Sequence, residues 1–444
     1  MTESIERYSA ALSETVRALR SGQQDLDSYY DDVEARVETV EDDLQSFVET
    51  PEFTTLRESV KRVRQRWERT SVRPPLYGVN VGVKDIFSVD SFPTRAGSDL
   101  PPSTFESPEA PVVTTLREAG AFVMGKTVTT EFASSPTGPT RNPHALSHTP
   151  GGSSSGSAAA VAAGLVPLAL GTQTVGSIVR PAAFCGIVGF KPSKGRLSTD
   201  GIVPFSPSAD QVGMFTQDVP GMELAASVLC SNWTRAPDLT TSSSVGIPAG
   251  GYLEQATETG REHFKTQISA LERSGITVDR VQLFNDIGAL NERHESMIEA
   301  EAAMEHADWY VEYGDRYHPD SAAMVENGWQ TDLNAVGDGR LSQQRTRHTI
   351  EQTMAQFDLD VLLAPAARGP APEGLDDSGD PVMNLPWTHA GLPAVTVPSS
   401  KTDAGLPLGL QCIAAHGDDE TLLSIAATLR ERLADADLDS TQTG

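Results

Sequence analysis

Residues Pro150–Gly195 read PGGSSSGSAAAVAAGLVPLALGTQTVGSIVRPAAFCGIVGFKPSKG. Two serine-bearing glycine loops, Gly151–Ser157 and Gly171–Ser177, are separated by an Ala-rich stretch suited to a helix and the apolar run Leu165–Leu170 suited to a strand. After Ser177 the segment IVRPAAFCG carries Pro181 where a first helical turn would fall. Working outward, the short β-branched runs recur in LYGVNVGVKDIF (76–87), AFVMGKTV (121–128) and DVLLAPA (360–366), each punctuated by Gly or Pro. Strands alternating with Ala-rich helical segments predict an α/β core.

The flanks read differently. Before Pro74, apolar residues follow helical spacing: Ile5, Tyr8, Leu12, Val16 and Leu19, then Leu26, Tyr30, Val33, Val37, Val40, Leu44 and Phe47. We expect residues 1–72 to be amphipathic helices packed on the body of the chain, with the 3-4 rhythm of the second series leaving room for a homodimer. Residues 73–435 are expected to form one domain, with 231–358 as a variable cover over the pocket. That cover is predicted to hold helices around Glu254–Arg273 and Asn291–Tyr313 and a strand near Ile276–Leu283. The segments GDPVMNLPWTHAGLPAVTVPSS (379–400) and GLPLGLQCIAA (405–415) should close the same sheet, and 436–444 reads as a disordered tail.

Composition bounds the function. With 61 acidic against 34 basic residues the chain carries a formal charge of −27, and a polyanion-binding face needs clustered Lys and Arg. Nucleic acid is therefore not an expected partner, and a small molecule is. A dense carboxylate surface is suited to a concentrated salt solution, where repulsion is screened within a few ångströms, which predicts a halophilic protein. Cys185, Cys230 and Cys412 are odd in number and form no CxxC pair, so reduced thiols and no metal site are expected. His144 and His148 stand four apart, but Pro143 and Pro150 bracket them and no third ligand is apparent, so they read as loop residues. The opening MTESIERYSA lacks a basic stretch followed by an apolar one, and no window reaches the ~20 apolar residues of a membrane span, which predicts a cytoplasmic protein.

The chemistry is sharpest around Ser177. A serine hydroxyl is a weak nucleophile and needs both a base and donors for the oxyanion it creates. A loop following a strand and preceding a helix presents the backbone N–H groups of Thr174, Val175, Gly176 and Ser177 together, and these are the expected oxyanion donors. Lys84 lies inside the apolar run VNVGVKDIF. Free lysine titrates near ~10.4, and burial that brought it close to 7 would amount to about 4 kcal/mol of lost solvation. Asp85 would oppose that change if its carboxylate lay close.

VGVKDIF, GGSSSGS and GTQTVGS, in this order and spacing, resemble the amidase signature family, strongly over about 75–219 and more diffusely over 360–420. The resemblance implies a mixed, twisted central sheet flanked by helices on both faces and a Ser-Ser-Lys triad with no histidine and no cofactor. Ser177 would be the nucleophile, Lys84 the base, and Ser153, after a cis peptide bond, the relay between them. It also implies hydrolysis of an amide to a carboxylate and ammonia or an amine. Many members carry GTDTGGS, so Gln173 replaces an acid and Val175 a glycine, and a β-branched residue resists positive φ. Malonamidase-like members hold a substrate carboxylate with an arginine where this chain has Arg180, which leans the reading to small or carboxylate-bearing amides.

Two other readings accompany it. The ammonia-producing component of a tRNA-dependent amidotransferase, its GatA-type chain, shares the triad but passes its ammonia to a partner protein, and members of that subgroup usually read GTDTGGSIR where this chain has GTQTVGSIVR. A non-catalytic amide- or carboxylate-binding relative would keep the fold without turnover.

Overall fold

The computed structural model describes residues 4–6, 8–68, 72–236, 244–332 and 334–442, the side chains of 436–442 excepted. Ten strands form one sheet: β1 Asn80–Lys84, β2 Phe122–Thr127, β3 Leu168–Gln173, β4 Val188–Lys191, β5 Gln211–Thr216, β6 Ser244–Ala249, β7 Thr277–Gln282, β8 Val361–Pro365, β9 Ala394–Lys401 and β10 Pro407–Ile413. Their order is β2-β1-β3-β5-β4-β9-β10-β8-β6-β7. The β2-β1-β3 and β8-β6-β7 flanks are parallel, while β3-β5-β4-β9-β10-β8 is antiparallel throughout. The sheet is thus mixed, and the 379–415 segment lies in its centre as β9 and β10.

Side-chain alternation divides the interior in two. Val81 and Val83 of β1, Val123 of β2, Leu168 and Leu170 of β3 and Val212 and Met214 of β5 join one apolar cluster, which continues into the helices Val219–Leu229, Glu258–Arg273 and Asp419–Gln442. Phe122 and Met124, Ala169 and Phe215, one residue out of step on the same strands, join another with the helices Leu26–Leu44, Phe53–Trp67 and Ser155–Ala162. A period of two therefore sends neighbouring residues to opposite faces, and helices cover both.

The N-terminal series packs as expected. Leu26, Tyr30, Val33, Val37, Val40 and Leu44 are buried against Phe122, Met124 and the Ala158–Val161 turn of the same chain. Tyr30 donates its hydroxyl to the carbonyl of Gly78, tying the long helix to the entry of β1. The expected strand near 276–283 is β7, and the cover holds, beyond the expected helices, Pro319–Gln330 and Asn334–Gln356. The C-terminal helix Asp419–Gln442 runs through most of the stretch expected as a tail, whose side chains, with residues 443 and 444, lie outside the described residues. No described helix is long and apolar enough to cross a membrane.

Candidate active site

Parallel pairing of β1 with β3, Val81 opposite Leu168 and Val83 opposite Leu170, brings the carboxyl ends of both strands to one edge of the sheet. Ligand sites in open α/β sheets form at such edges. Lys84 ends β1 and Gln173 ends β3. The loop Thr174–Ser177 then enters the short helix Val179–Phe184.

The serine run at 153–157 sits on a helix made to lie against the sheet. A Cβ added to Gly156 would stand 2.2 Å from the carbonyl oxygen of Ser46 and 2.4 Å from the amide of Val128, so only glycine allows this approach. The hydroxyls around it are spoken for: Ser154 donates to the carbonyl of Thr172 at 3.2 Å, Ser155 to that of Val128 at 3.3 Å and Ser157 to that of Leu170 at 2.8 Å. Ser153, after the cis Gly152–Ser153 bond, faces the lysine instead, with its Oγ 2.7 Å from Lys84 Nζ. Lys84 also donates to Thr172 Oγ1 at 2.9 Å.

Lys84 has no exposed surface, and burial pulls its amine down to about 7. The carboxylate that opposes this is Asp210, not Asp85. Asp85 is turned to Lys126, 2.8 Å away in a buried pair. Asp210 accepts from Thr174 Oγ1 at 2.6 Å and from the amides of Phe205 and Ser206 at 2.9 and 3.0 Å, while burial raises it to about 6.

Gln173 explains its own presence. Its Oε1 accepts from the amides of Ile178 and Val179 at 2.8 and 3.0 Å, capping the short helix, and its Nε2 donates to Thr388 Oγ1 at 2.9 Å. An acid could supply the acceptor but not the amide donor. Val175 is not among the residues with positive φ, so the β-branched side chain meets no left-handed backbone here. Gly176 is the demanding position, since a Cβ there would stand 2.4 Å from Asn384 Oδ1 and 2.8 Å from Pro381 Cβ.

Arg180 is buried, and its Nη2 donates to the carbonyl of Gly152 at 2.6 Å and to Ser378 Oγ at 3.3 Å. Its Nε and Nη1 are buried with no protein acceptor. Burial lowers it to about 10, with Asp380 and Asp377 pulling the other way, so it stays charged near neutrality. The two loop histidines lie apart from this site: His144 Nε2 is 2.9 Å from the carbonyl of Cys185 and His148 Nδ1 3.0 Å from Ser147 Oγ. Sequence reasoning missed Thr172, Asp210, Thr388 and the pair His294 and His389, because none is singled out by a motif's chemistry and each reaches its partners through strand pairing or long-range packing.

The family model described as Amidase matches residues 32–423. A protein of Exiguobacterium sibiricum, named as the first (GatA) component of glutamyl-tRNA(Gln) amidotransferase, is 34% identical over 403 residues, covering 79% of this chain and 83% of its own. A crystal structure described simply as that of an amidase superposes with a TM-score of 0.85 at 29% identity, over 95% of this chain and 99% of the other. An s-triazine catabolic enzyme, described with a vestigial protein complex, superposes with a TM-score of 0.84 at 27% identity over 95% and 98% of the two chains.

Proposed function

Since this chain belongs to the amidase signature family, we propose that it hydrolyses a linear carboxylic amide through an acyl-serine formed on Ser177. The observation that carries the reading is the 2.7 Å approach of Ser153 Oγ to a lysine amine that burial brings down to about 7. Ser177 Oγ attacks the amide carbon and gives its proton to Ser153, whose own proton passes to neutral Lys84. Negative charge on the carbonyl oxygen is met by the N–H groups of Thr174, Val175, Gly176 and Ser177. Collapse of the tetrahedral intermediate breaks the C–N bond, and the departing nitrogen takes the proton back along the same relay. Water then attacks the ester, releasing the carboxylate and restoring Ser177.

Arg180 supports a preference for amides that carry a carboxylate, since Nε and Nη1 remain as two buried donors on a cation already held by Gly152. The three buried free thiols fit a reducing compartment, so we place the reaction in the cytoplasm.

The names of curated relatives favour a second reading, in which ammonia from Ser177 chemistry is handed to a partner protein, as the amidotransferase name of the Exiguobacterium relative suggests. Val179 followed by Arg180 after the nucleophile supports the first reading instead. The deciding measurement is ammonia release by the purified chain in molar KCl over aliphatic, aryl and carboxylate-bearing amides and glutamine, with Ser177→Ala as control. Release by the chain alone, lost in the variant, is expected. Release only from glutamine and only with a co-purified partner would install the second reading, and binding without any release would leave a non-catalytic relative.

A further inference from the structure

His294 lies on the helix Ile287–Glu305, within the stretch where the sequence carries no readable motif, and has no exposed surface. Its Nε2 is 3.1 Å from the carbonyl oxygen of Thr174, the first residue of the proposed oxyanion loop. Its Nδ1 is 3.1 Å from Nδ1 of His389, which ends the short helix Leu385–His389, and Nε2 of His389 is 3.0 Å from Ser342 Oγ on the helix Asn334–Gln356. Three elements remote in sequence thus converge beneath one peptide of the catalytic loop.

Protons in this chain can be assigned by elimination. A carbonyl oxygen only accepts, so Nε2 of His294 carries its hydrogen. A neutral imidazole has one, which leaves Nδ1 of His294 as an acceptor and requires Nδ1 of His389 to donate. Nε2 of His389 must then accept from the Ser342 hydroxyl. The competing state is a buried imidazolium at His294. Neither ring has a carboxylate partner, and burial pulls the two histidines down to about 4 and about 3, with Lys194 and Arg293 nearby opposing a further positive charge and Glu301 favouring one. That carboxylate is already engaged by Ser206, Ser208 and Arg340.

We propose that the directed chain Ser342 to His389 to His294 to Thr174 positions the oxyanion donors, making His294 and His389 positioning residues for the reaction at Ser177. The reason is the planar trans peptide: a C=O held on one side points the N–H of the following residue to the other. Fixing the Thr174 carbonyl fixes the Val175 N–H, and polarising that carbonyl makes the same N–H a stronger donor. The neighbouring peptide is treated alike, because the Thr388 hydroxyl donates to the carbonyl of Val175 at 2.6 Å and so sets the Gly176 N–H. Consecutive residues Thr388 and His389 thereby control consecutive carbonyls, one directly and one through His294.

This inference rests on the hydrolytic reading, and two measurements separate their fates. Long-range 15N–1H spectra of the histidine-labelled wild type, assigned with His294 and His389 variants, should show at pH 7 a neutral Nε2–H ring for His294 and a neutral Nδ1–H ring for His389. An Nε2–H tautomer at His389, or a charged ring at either position, overturns the chain whatever the activity. In kinetics, His294→Leu should lower kcat by roughly tenfold or more with KM within about twofold, less than the loss of a whole oxyanion donor. His294→Gln, whose amide can still donate to Thr174, should recover part of it. A rise in KM with kcat unchanged would overturn the positioning role. Should His294→Leu fail to fold, the wild-type spectra still decide. A wild type silent on every amide, with tautomers as assigned, would sink the hydrolytic reading and the catalytic purpose of the chain together.

Discussion

A lysine can take a proton only while uncharged, and at Lys84 that condition is met by geometry more than by neighbours. The side chain is fully enclosed, its two polar contacts are neutral hydroxyls, and the opposing carboxylate, Asp210, is itself occupied by Thr174 and two amides. Burial lowers Lys84 to about 7, so the neutral, proton-accepting form gains population as pH rises through that value. We expect kcat/KM to climb with pH through about 7 and level above it, measured as a pH-rate profile on any amide that turns over; a profile flat from pH 5 to 9 would remove Lys84 as the base. Lys84→Ala and Ser177→Ala should each cost at least about a thousandfold in turnover, and Ser153→Ala somewhat less, on the scale of acid–base and nucleophilic contributions. Wild-type-like turnover in any of the three, with folding checked by circular dichroism, would break the assignment. VGVKDIF and the two glycine loops were enough to nominate these three residues. They could not name Asp210, which lies outside those motifs and reaches the site through the antiparallel pairing of β3 with β5.

At the level of elements, the site depends on how one strand hands over to one short helix. Gln173 caps that helix through Ile178 and Val179 and anchors to Thr388, so Gln173→Leu would leave two buried amides and one hydroxyl short of partners. Each orphaned group costs about 1–3 kcal/mol, and we expect a clear fall in Tm together with a loss of kcat as the loop loosens. An unchanged Tm would show that the cap is dispensable. The N-terminal helix makes a separate claim. Leu44 is fully buried in the cluster under β2, so Leu44→Ala should destabilise the whole protein by about 2–5 kcal/mol in chemical denaturation. A chain that unfolds in two transitions, with only the first one moved, would mean that the N-terminal helices are an independent unit. Helical spacing announced this segment well, because its periodicity is long and regular. The helices Pro319–Gln330 and Asn334–Gln356 were not announced, since their buried residues are few and set among Gly, Gln and charged positions.

For the molecule as a whole, charge is the dominant feature. Of seven lysines, Lys84, Lys126 and Lys191 are buried, which leaves the surface with almost no ammonium groups to offset its carboxylates. Self-repulsion at a net charge of −27 opposes the compact state and weakens as ionic strength shortens the screening length to a few ångströms. Tm should therefore be several degrees higher in molar KCl than in dilute buffer, read by calorimetry or near-ultraviolet circular dichroism; equal values would argue against adaptation to salt.

The amino-acid sequence by itself determined the α/β alternation, the amphipathic N-terminal helices, the family and the three residues nominated for chemistry. These are local properties: periodicity, turn residues and motif spacing are written within a few positions of each other. Tertiary structure alone decided which carboxylate stands by Lys84, why Gln173 replaces an acid, that Val175 avoids a left-handed backbone, and that His294 and His389 reach under Thr174. Each of these depends on groups tens to hundreds of positions apart, brought together by the order of strands in the sheet and by the cover folding back over it. No local pattern encodes such a meeting, because its free energy comes from burial and hydrogen bonds that exist only once both faces of the sheet are closed.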